Sequence, residues 1–346
     1  MASLTQVAIT TRKTIRYGII GVFALIALRI LIGVGIRAYR YFFPPPPPPP
    51  TVAFGRLPSI NFPESEGENL SFVLETPEGG LPTLPTQANV YFMPKLSPNL
   101  LSLEAATVKA IDLGFTGEPQ EVSQTIYRFP HGDAPATLEV NIITGIFSIS
   151  YDLANDSSPI ERIPPSPEVA AAQVRSYLSS ADLLPEDLIG PTSHTFLKIE
   201  DGQLVTALGQ SDADLVKVNL FRKDYEAFPS MPSDPDQANI WFMVSGARTR
   251  EKQFIAAEYH YFPIDEAQGA TYPLKTAEDA WSELQAGQSF IAGGGNQEGP
   301  IVIRRVYLGY YDPDAPEEFF QPIVVFEGDG GFFGYVPAIS PEYYGE

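Results

Sequence analysis

The sequence predicts an α+β protein with a single amino-terminal transmembrane helix, a polyproline spacer and an outer region of antiparallel sheets, each packed by a helix. Three observations carry this prediction. An apolar run from Tyr17 to Ile36 is broken only by Arg29, and seven consecutive prolines follow at Pro44 to Pro50. Beyond them, one amphipathic helix followed by alternating strands recurs three times.

Composition bounds the rest. The chain has 346 residues, 44% of them hydrophobic and 18% charged, enough to bury a substantial core. Its 42 acidic against 22 basic residues give a formal charge of -20, a field that repels nucleic acid, so no nucleic-acid partner is expected. The absence of cysteine excludes disulfides, thiolate nucleophiles and thiolate metal ligands.

Charge is unevenly placed. Arg12, Lys13, Arg16, Arg29, Arg37 and Arg40 lie in the first 43 residues, which hold no acid, so the remaining chain carries 16 bases against all 42 acids. Twenty residues at 1.5 Å rise span a hydrocarbon core, and residues 17–36 are therefore expected to cross the bilayer. Arg29 either snorkels to the nearer interface or makes a contact within the membrane. Arg37-Ala38-Tyr39-Arg40 offers no small-residue cleavage site, which points to an uncleaved anchor. Basic residues on the amino side place residues 1–16 in the cytoplasm and the acidic bulk outside. Residues 37–50 are then a basic flank and a heptaproline spacer about 22 Å long in the polyproline II conformation.

After the spacer, Thr51 to Pro85 is rich in Pro and Gly and reads as extended segments with turns. Asn89–Met93 is a strand candidate. Ser102 opens a helix with Leu103, Ala106, Ala110 and Ile111 on one face and Gly114 at its stop. Leu138, Val140 and Ile142, then Phe147, Ile149 and Tyr151, alternate with polar residues about Thr144-Gly145 and predict a hairpin. These elements make an amino-terminal α+β module at 51–158, followed by a linker at 159–167 and a carboxy-terminal α+β region at 168–346.

That region opens with Ser166-Pro167 capping a helix whose inner face is Ala170, Val174, Tyr177 and Leu178. Strands are predicted at 195–199, 215–221, 240–244 and 254–262. Thr276 caps a third helix bearing Ala277, Ala280, Trp281 and Leu284, stopped by Gly287. Strands at 301–311, 321–326 and 332–336 follow, the last two joined by the glycine-rich turn 327–331. Gln87–Met93 also echoes Gln237–Met243, which points either to a duplicated module or to chance likeness between two aromatic strands.

Chemistry-bearing patterns are sparse, and neither a catalytic residue, a cofactor nor a metal is expected. His131, His194 and His260 have no second histidine at ligand spacing. Acid pairs at Asp212/Asp214, Asp234/Asp236 and Asp312/Asp314/Glu317/Glu318 are what so acidic a chain produces, and 312–318 reads as a solvated turn without the EF-hand pattern. Gly293-Gly294-Gly295 lacks the Lys-Ser/Thr ending of a phosphate loop. Tyr307, Tyr310, Tyr311 and Tyr335 are candidate recognition aromatics if exposed, since tyrosine offers contact area at small entropic cost.

Thr271–Trp281, Val306-Tyr307-Leu308-Gly309-Tyr310-Tyr311 and Gln321–Phe326 together resemble the extracytoplasmic domains of YycH/YycI-type regulatory proteins. The likeness covers roughly 70 residues and rests on small aromatic and packing motifs. It implies PepSY-like α+β modules on a single-pass protein that modulates an envelope-sensing histidine kinase, with no catalytic residues to carry over. The expected function is accordingly that of a non-enzymatic, membrane-anchored envelope protein binding a membrane or envelope partner. An envelope polysaccharide hydrolase using paired carboxylates, or a structural surface protein, are the alternatives.

Overall fold

The computed structural model describes residues 4–42, 48–64, 70–95, 102–295 and 299–345. The chain divides into two compact units, residues 1–49 and 50–346. The first holds one helix, α1 (Leu4–Phe42), which extends past both ends of the predicted 17–36 span. Lysine and arginine are good helix formers, so the basic flanks continue the helix, and the proline run from Pro44 forbids its continuation. Within α1, the 25 residues Arg16–Arg40 are long and apolar enough to cross a membrane, and Arg29 lies inside that window. Of the spacer, Pro44–Pro47 lie outside the described residues, and Pro48–Pro50 are neither helix nor strand.

The second unit is mixed α+β with mostly antiparallel sheets. Its largest sheet has nine strands, in the spatial order 120–121, 126–130, 136–141, 147–151, 254–259, 240–244, 215–220, 192–200 and 203–206. The predicted hairpin forms at Ala136–Asn141 and Phe147–Tyr151, with Gly145 in the left-handed region (φ +75°) that the turn requires. Its inward side chains Leu138, Val140, Phe147, Ile149 and Tyr151 are buried. They share one hydrophobic cluster with α2 (Ser102–Asp112) and α3 (Pro167–Ser180).

In α3 the predicted stripe of Ala170, Val174, Tyr177 and Leu178 is buried, and the helix packs on the strand Leu215–Leu220. Each fully buried Val or Leu contributes roughly 1.5–3 kcal/mol relative to exposure. In α2 Ala106 and Ala110 are buried, but Ile111 is 52% exposed, because the drift of a 3.6-residue period carries the i+8 position off the stripe.

Strands on both sides of residues 159–167 build this one sheet. The strand 147–151, which closes the amino-terminal series, pairs antiparallel with 254–259, which closes the next. Gly246 lets the 159–167 segment lie flat, since a Cβ there would stand 2.4 Å from the carbonyl oxygens of Arg162 and Ile163.

A six-stranded sheet runs 72–74, 301–312, 322–328, 332–337 and 290–293, with 230–232 also paired to 301–312. Its two parallel pairings, 72–74 and 230–232, both lie along Ile301–Asp312. α4 (Ala277–Gln285) packs on Phe332–Pro337 and begins with a full capping box between Thr276 and Asp279. A three-stranded sheet joins Asp265–Pro273, Gln87–Phe92 and Phe319–Phe320.

The two echoing segments occupy non-equivalent places. Gln87–Phe92 is the centre of the three-stranded sheet, whereas Ile240–Val244 is inside the nine-stranded sheet and is followed by a short 3-10 turn and a strand, without the helix a repeat requires. Their likeness is that of two aromatic strands with buried alternate residues.

Candidate functional site

α2 and α3 cover one face of the nine-stranded sheet, and the strand registers define what stands on the other. Arg128, Glu139, Ser148, Glu258, Trp241, Asn219 and Ser193 are cross-strand neighbours in a single row over seven strands. Because side chains alternate, Phe242, Val218 and Ala257 point to the core while Trp241, Met243, Lys217 and Glu258 are half-exposed. Trp241 is the one aromatic side chain in the row.

A pocket of about 350 Å³ opens at Trp241, lined by Asp234, Gln237, Asn239, Glu258, His260 and Asp314 among others. The Lys217 ammonium lies 4.6 Å from the Trp241 ring centroid and donates to Gln237 Oε1. Burial pulls Lys217 below the ordinary lysine pKa, and Asp234 acts in the opposite direction. Asn239 Nδ2 donates to the carbonyls of Asp312 (2.9 Å) and Pro313 (3.1 Å), fixing the wall that bears Asp314. Asn219 braces the lining from outside it: its Oδ1 accepts from the Ala238 amide at 3.3 Å and its Nδ2 donates to Ser193 Oγ at 2.9 Å. Carboxylates and amide oxygens around an indole face make an acceptor-rich recognition surface, suited to a hydroxyl- or amine-bearing ligand.

Behind this wall lies a buried ion cluster. Arg222, 2% exposed, donates through Nε to Asp312 Oδ1 (2.7 Å), through Nη1 to Asp187 Oδ2, and through Nη2 to the Phe262 carbonyl (2.7 Å). Its guanidinium also stacks 4.4 Å from the Tyr261 ring centroid. Asp187 further accepts from the hydroxyls of Tyr225 (3.2 Å) and Tyr261 (3.1 Å). Burial pushes the Asp312 carboxyl up, and the Arg222 charge opposes it. Gly190 is required at this point because a Cβ there would stand 2.3 Å from the Arg222 carbonyl oxygen.

At Asp312 the cluster corrects the expectation of a solvated acidic turn at 312–318, whereas Ala315 and Pro316 are exposed and the Glu318 side chain is 45% exposed. Asp312 is buried against Arg222, Glu317 accepts from the Asn61 amide at 3.0 Å, and Glu318 pairs with Lys95 at 3.1 Å. Among the described residues, no three His, Asp or Glu side chains gather to hold a metal ion.

The recognition tyrosines are corrected as well. Tyr310, Tyr311 and Tyr335 are buried, and Tyr307 is half-buried. The reason is that the strand Ile301–Asp312 is covered on both faces: Val306 and Leu308 belong to one hydrophobic cluster, Tyr310 and Tyr311 to two others. Tyr310 stacks on Phe320 at 5.0 Å and donates its hydroxyl to the Asn89 carbonyl, and Tyr335 donates to the Pro232 carbonyl.

His131 packs edge-on against Phe115, and its Nδ1 accepts from the Asp133 amide, whereas His194 stands exposed beside Phe196. Gly294 closes the triple-glycine loop against the backbone of Phe332, where a Cβ would approach to 2.6 Å, so close approach explains that glycine.

Sequence reading passed over Arg222, Asp187 and Lys217. Trp241 entered it only as part of the echo. The available signal was its place on the polar phase of an otherwise alternating strand.

No family model and no curated protein matches the chain. Among solved structures, it is similar to the crystal structure, at 1.45 Å resolution, of an uncharacterized protein from Eubacterium rectale ATCC 33656, with a TM-score of 0.36 and 11% identity over 76% of this chain and 85% of that one.

Proposed function

We propose that this chain is a single-pass, membrane-anchored binding protein of the cell envelope, whose unit 50–346 stands outside the cytoplasmic membrane and engages an envelope protein or polymer through the Trp241 face. The observation that carries the anchor is the Arg16–Arg40 segment of α1, with basic residues at its two ends and an acidic unit after it. A binding role is supported by the Trp241 pocket, where an indole and several acceptors are presented on a rigid sheet.

Among the described residues, the carboxyls whose pKa is raised, as a general acid requires, are Asp312 and Glu317, and neither lines that pocket. This favours binding over a paired-carboxylate hydrolase. Modulation of a membrane sensor is the role the YycH/YycI likeness adds, with Arg29 as the contact inside the bilayer.

The test is made on the full chain in intact cells. Protease added outside should trim the 50–346 unit, and the remaining fragment should stay with membranes after alkaline washing. A photo-crosslinker at Met243 should capture a membrane or envelope component, and Trp241→Ala should reduce that capture at least fivefold. Recovery of the full chain as a soluble species, or protection from external protease, overturns the anchor. Capture that is indifferent to Trp241→Ala overturns the site.

A further inference from the structure

Only three histidines occur in the chain. In His260 both ring nitrogens are engaged: Nδ1 lies 3.1 Å from the Asp314 carbonyl oxygen and Nε2 lies 3.2 Å from Glu258 Oε2. Both partners are acceptors, because a carbonyl has no proton to give and an ionised carboxylate has none either. Neutral imidazole carries one N–H and satisfies one of them. Imidazolium carries two and satisfies both.

We propose that His260 is a proton-operated clamp on the Trp241 pocket: as imidazolium it ties the Asp314 wall to Glu258, two residues back on its own strand, and loss of its proton breaks that tie. The ring is half-buried and its backbone is fixed independently, since the His260 amide donates to the Asn239 carbonyl at 3.0 Å. Only the ring contacts therefore change on titration.

Charged groups reach the pocket from each element around it. Glu258 is on the histidine's own strand, Asp314 on the loop after 301–312, Asp234 on the loop before 240–244, and Lys217 on 215–220, where its ammonium is drawn to Gln237. Carboxylates outnumber the ammonium, so the local field favours the charged ring. The Glu258 hydrogen bond raises the imidazole pKa above its ordinary value of 6.5, with burial opposing. A histidine raised in the fold contributes stability that is complete below the unfolded pKa and is lost as pH rises through the folded one. The clamp is thus closed in mild acid and open on the alkaline side.

It follows from pocket geometry and does not depend on where the protein resides or what the pocket binds, so it and the proposed function fail separately. The test is a pH titration of the full chain in detergent micelles, labelled with ¹⁵N-histidine and ¹⁵N-alanine, the ring signals being assigned with His131→Gln, His194→Gln and His260→Gln. The expected result is a His260 midpoint above 6.5 with both nitrogens protonated on the acid side. The Ala315 amide, next to the Asp314 carbonyl, should follow the same curve, and Glu258→Gln should lower the midpoint. A wild-type midpoint at or below 6.5, an Ala315 amide indifferent to the ring's titration, or a midpoint unmoved by Glu258→Gln overturns the clamp.

Discussion

Replacing Arg222 by methionine should be among the most damaging single changes in the 50–346 unit. Methionine keeps an apolar stem in the space of the arginine stem but brings no donor, so Asp312 Oδ1, Asp187 Oδ2 and the Phe262 carbonyl each lose a partner at once. Asp187 retains the hydroxyls of Tyr225 and Tyr261, whereas Asp312 loses its charge partner while remaining 6% exposed. Leaving a buried charge uncompensated costs about 3–5 kcal/mol, a large fraction of a total stability of about 5–15 kcal/mol. For a unit of this size that corresponds to a fall in Tm of roughly 5–8 °C.

Arg222→Lys should lie between wild type and Met, because a compact ammonium cannot reach three separated acceptors as a planar fork does. Adding Asp312→Asn to Arg222→Met removes one of the stranded charges and should recover part of the loss. The assay is chemical and thermal unfolding of the full chain in micelles, arranged as a double-mutant cycle. A loss under 1 kcal/mol for Arg222→Met, or a double mutant worse than the sum of its parts, would refute this account of the cluster.

Two further changes probe local physics. Glu226 and Ala227 are consecutive non-glycine residues in the left-handed region (φ +53° and +68°) within the tight turn Tyr225–Phe228, and Ala227 is exposed. Ala227→Gly relieves that strain without loss of packing and should raise stability by about 0.5–1 kcal/mol, read from the unfolding midpoint; a destabilised variant would contradict it. Asp156 accepts from Lys252 Nζ (2.7 Å), the Tyr151 hydroxyl (2.7 Å) and the Ser158 amide (3.0 Å), which hold its carboxyl well below the usual range. A depressed carboxyl stabilises above its unfolded pKa of about 3.9 and loses that contribution as pH falls. The Tm advantage of wild type over Asp156→Asn should hold from neutral pH down to about 5 and narrow below about 4; a gap unchanged in that acid range counts against the assignment.

What was legible in the chain was whatever a single period or a local cap encodes. The 136–151 hairpin shows one buried and one wet face, and α3 and α4 announce themselves through Ser166-Pro167 and the Thr276–Asp279 box. Asp265–Pro273 was illegible because its first six residues, Asp265–Ala270, are acidic, amide, alanine or glycine, all poor strand formers. It is a strand because Gln87–Phe92 pairs with it, and Gly269 leaves room for the Tyr91 ring, which would lie only 3.3 Å from a Cβ there. The tyrosines of 301–312 misled for a related reason: when both faces of a strand are covered, adjacent aromatics are both core, and no alternation remains to distinguish them from a surface row. Arg222 was hidden because its partners come from sequence positions 35 and 90 residues away, and nothing local marks a long-range ion pair.

The placement of the pocket follows from that same long-range pairing. The strand Leu215–Leu220 carries Lys217 and Asn219 to the lining residues Gln237 and Ala238, and two residues beyond its end Arg222 enters the buried cluster. On the facing side, Asp312 enters the cluster and Asp314 forms the pocket wall, with Pro313 between them restricting the backbone. The nine-stranded and six-stranded sheets are thus bridged by the Arg222 guanidinium and by the Asn239 amide, behind the wall that His260 also holds by hydrogen bonds. Since a buried ion pair breaks only at a cost of several kcal/mol while a half-buried imidazole exchanges its proton near neutrality, the pocket has one wall attached through a rigid link and a titratable one. A change at Arg222 should therefore disturb both stability and pocket shape, whereas a change at His260 should alter pocket shape while leaving the junction of the two sheets intact.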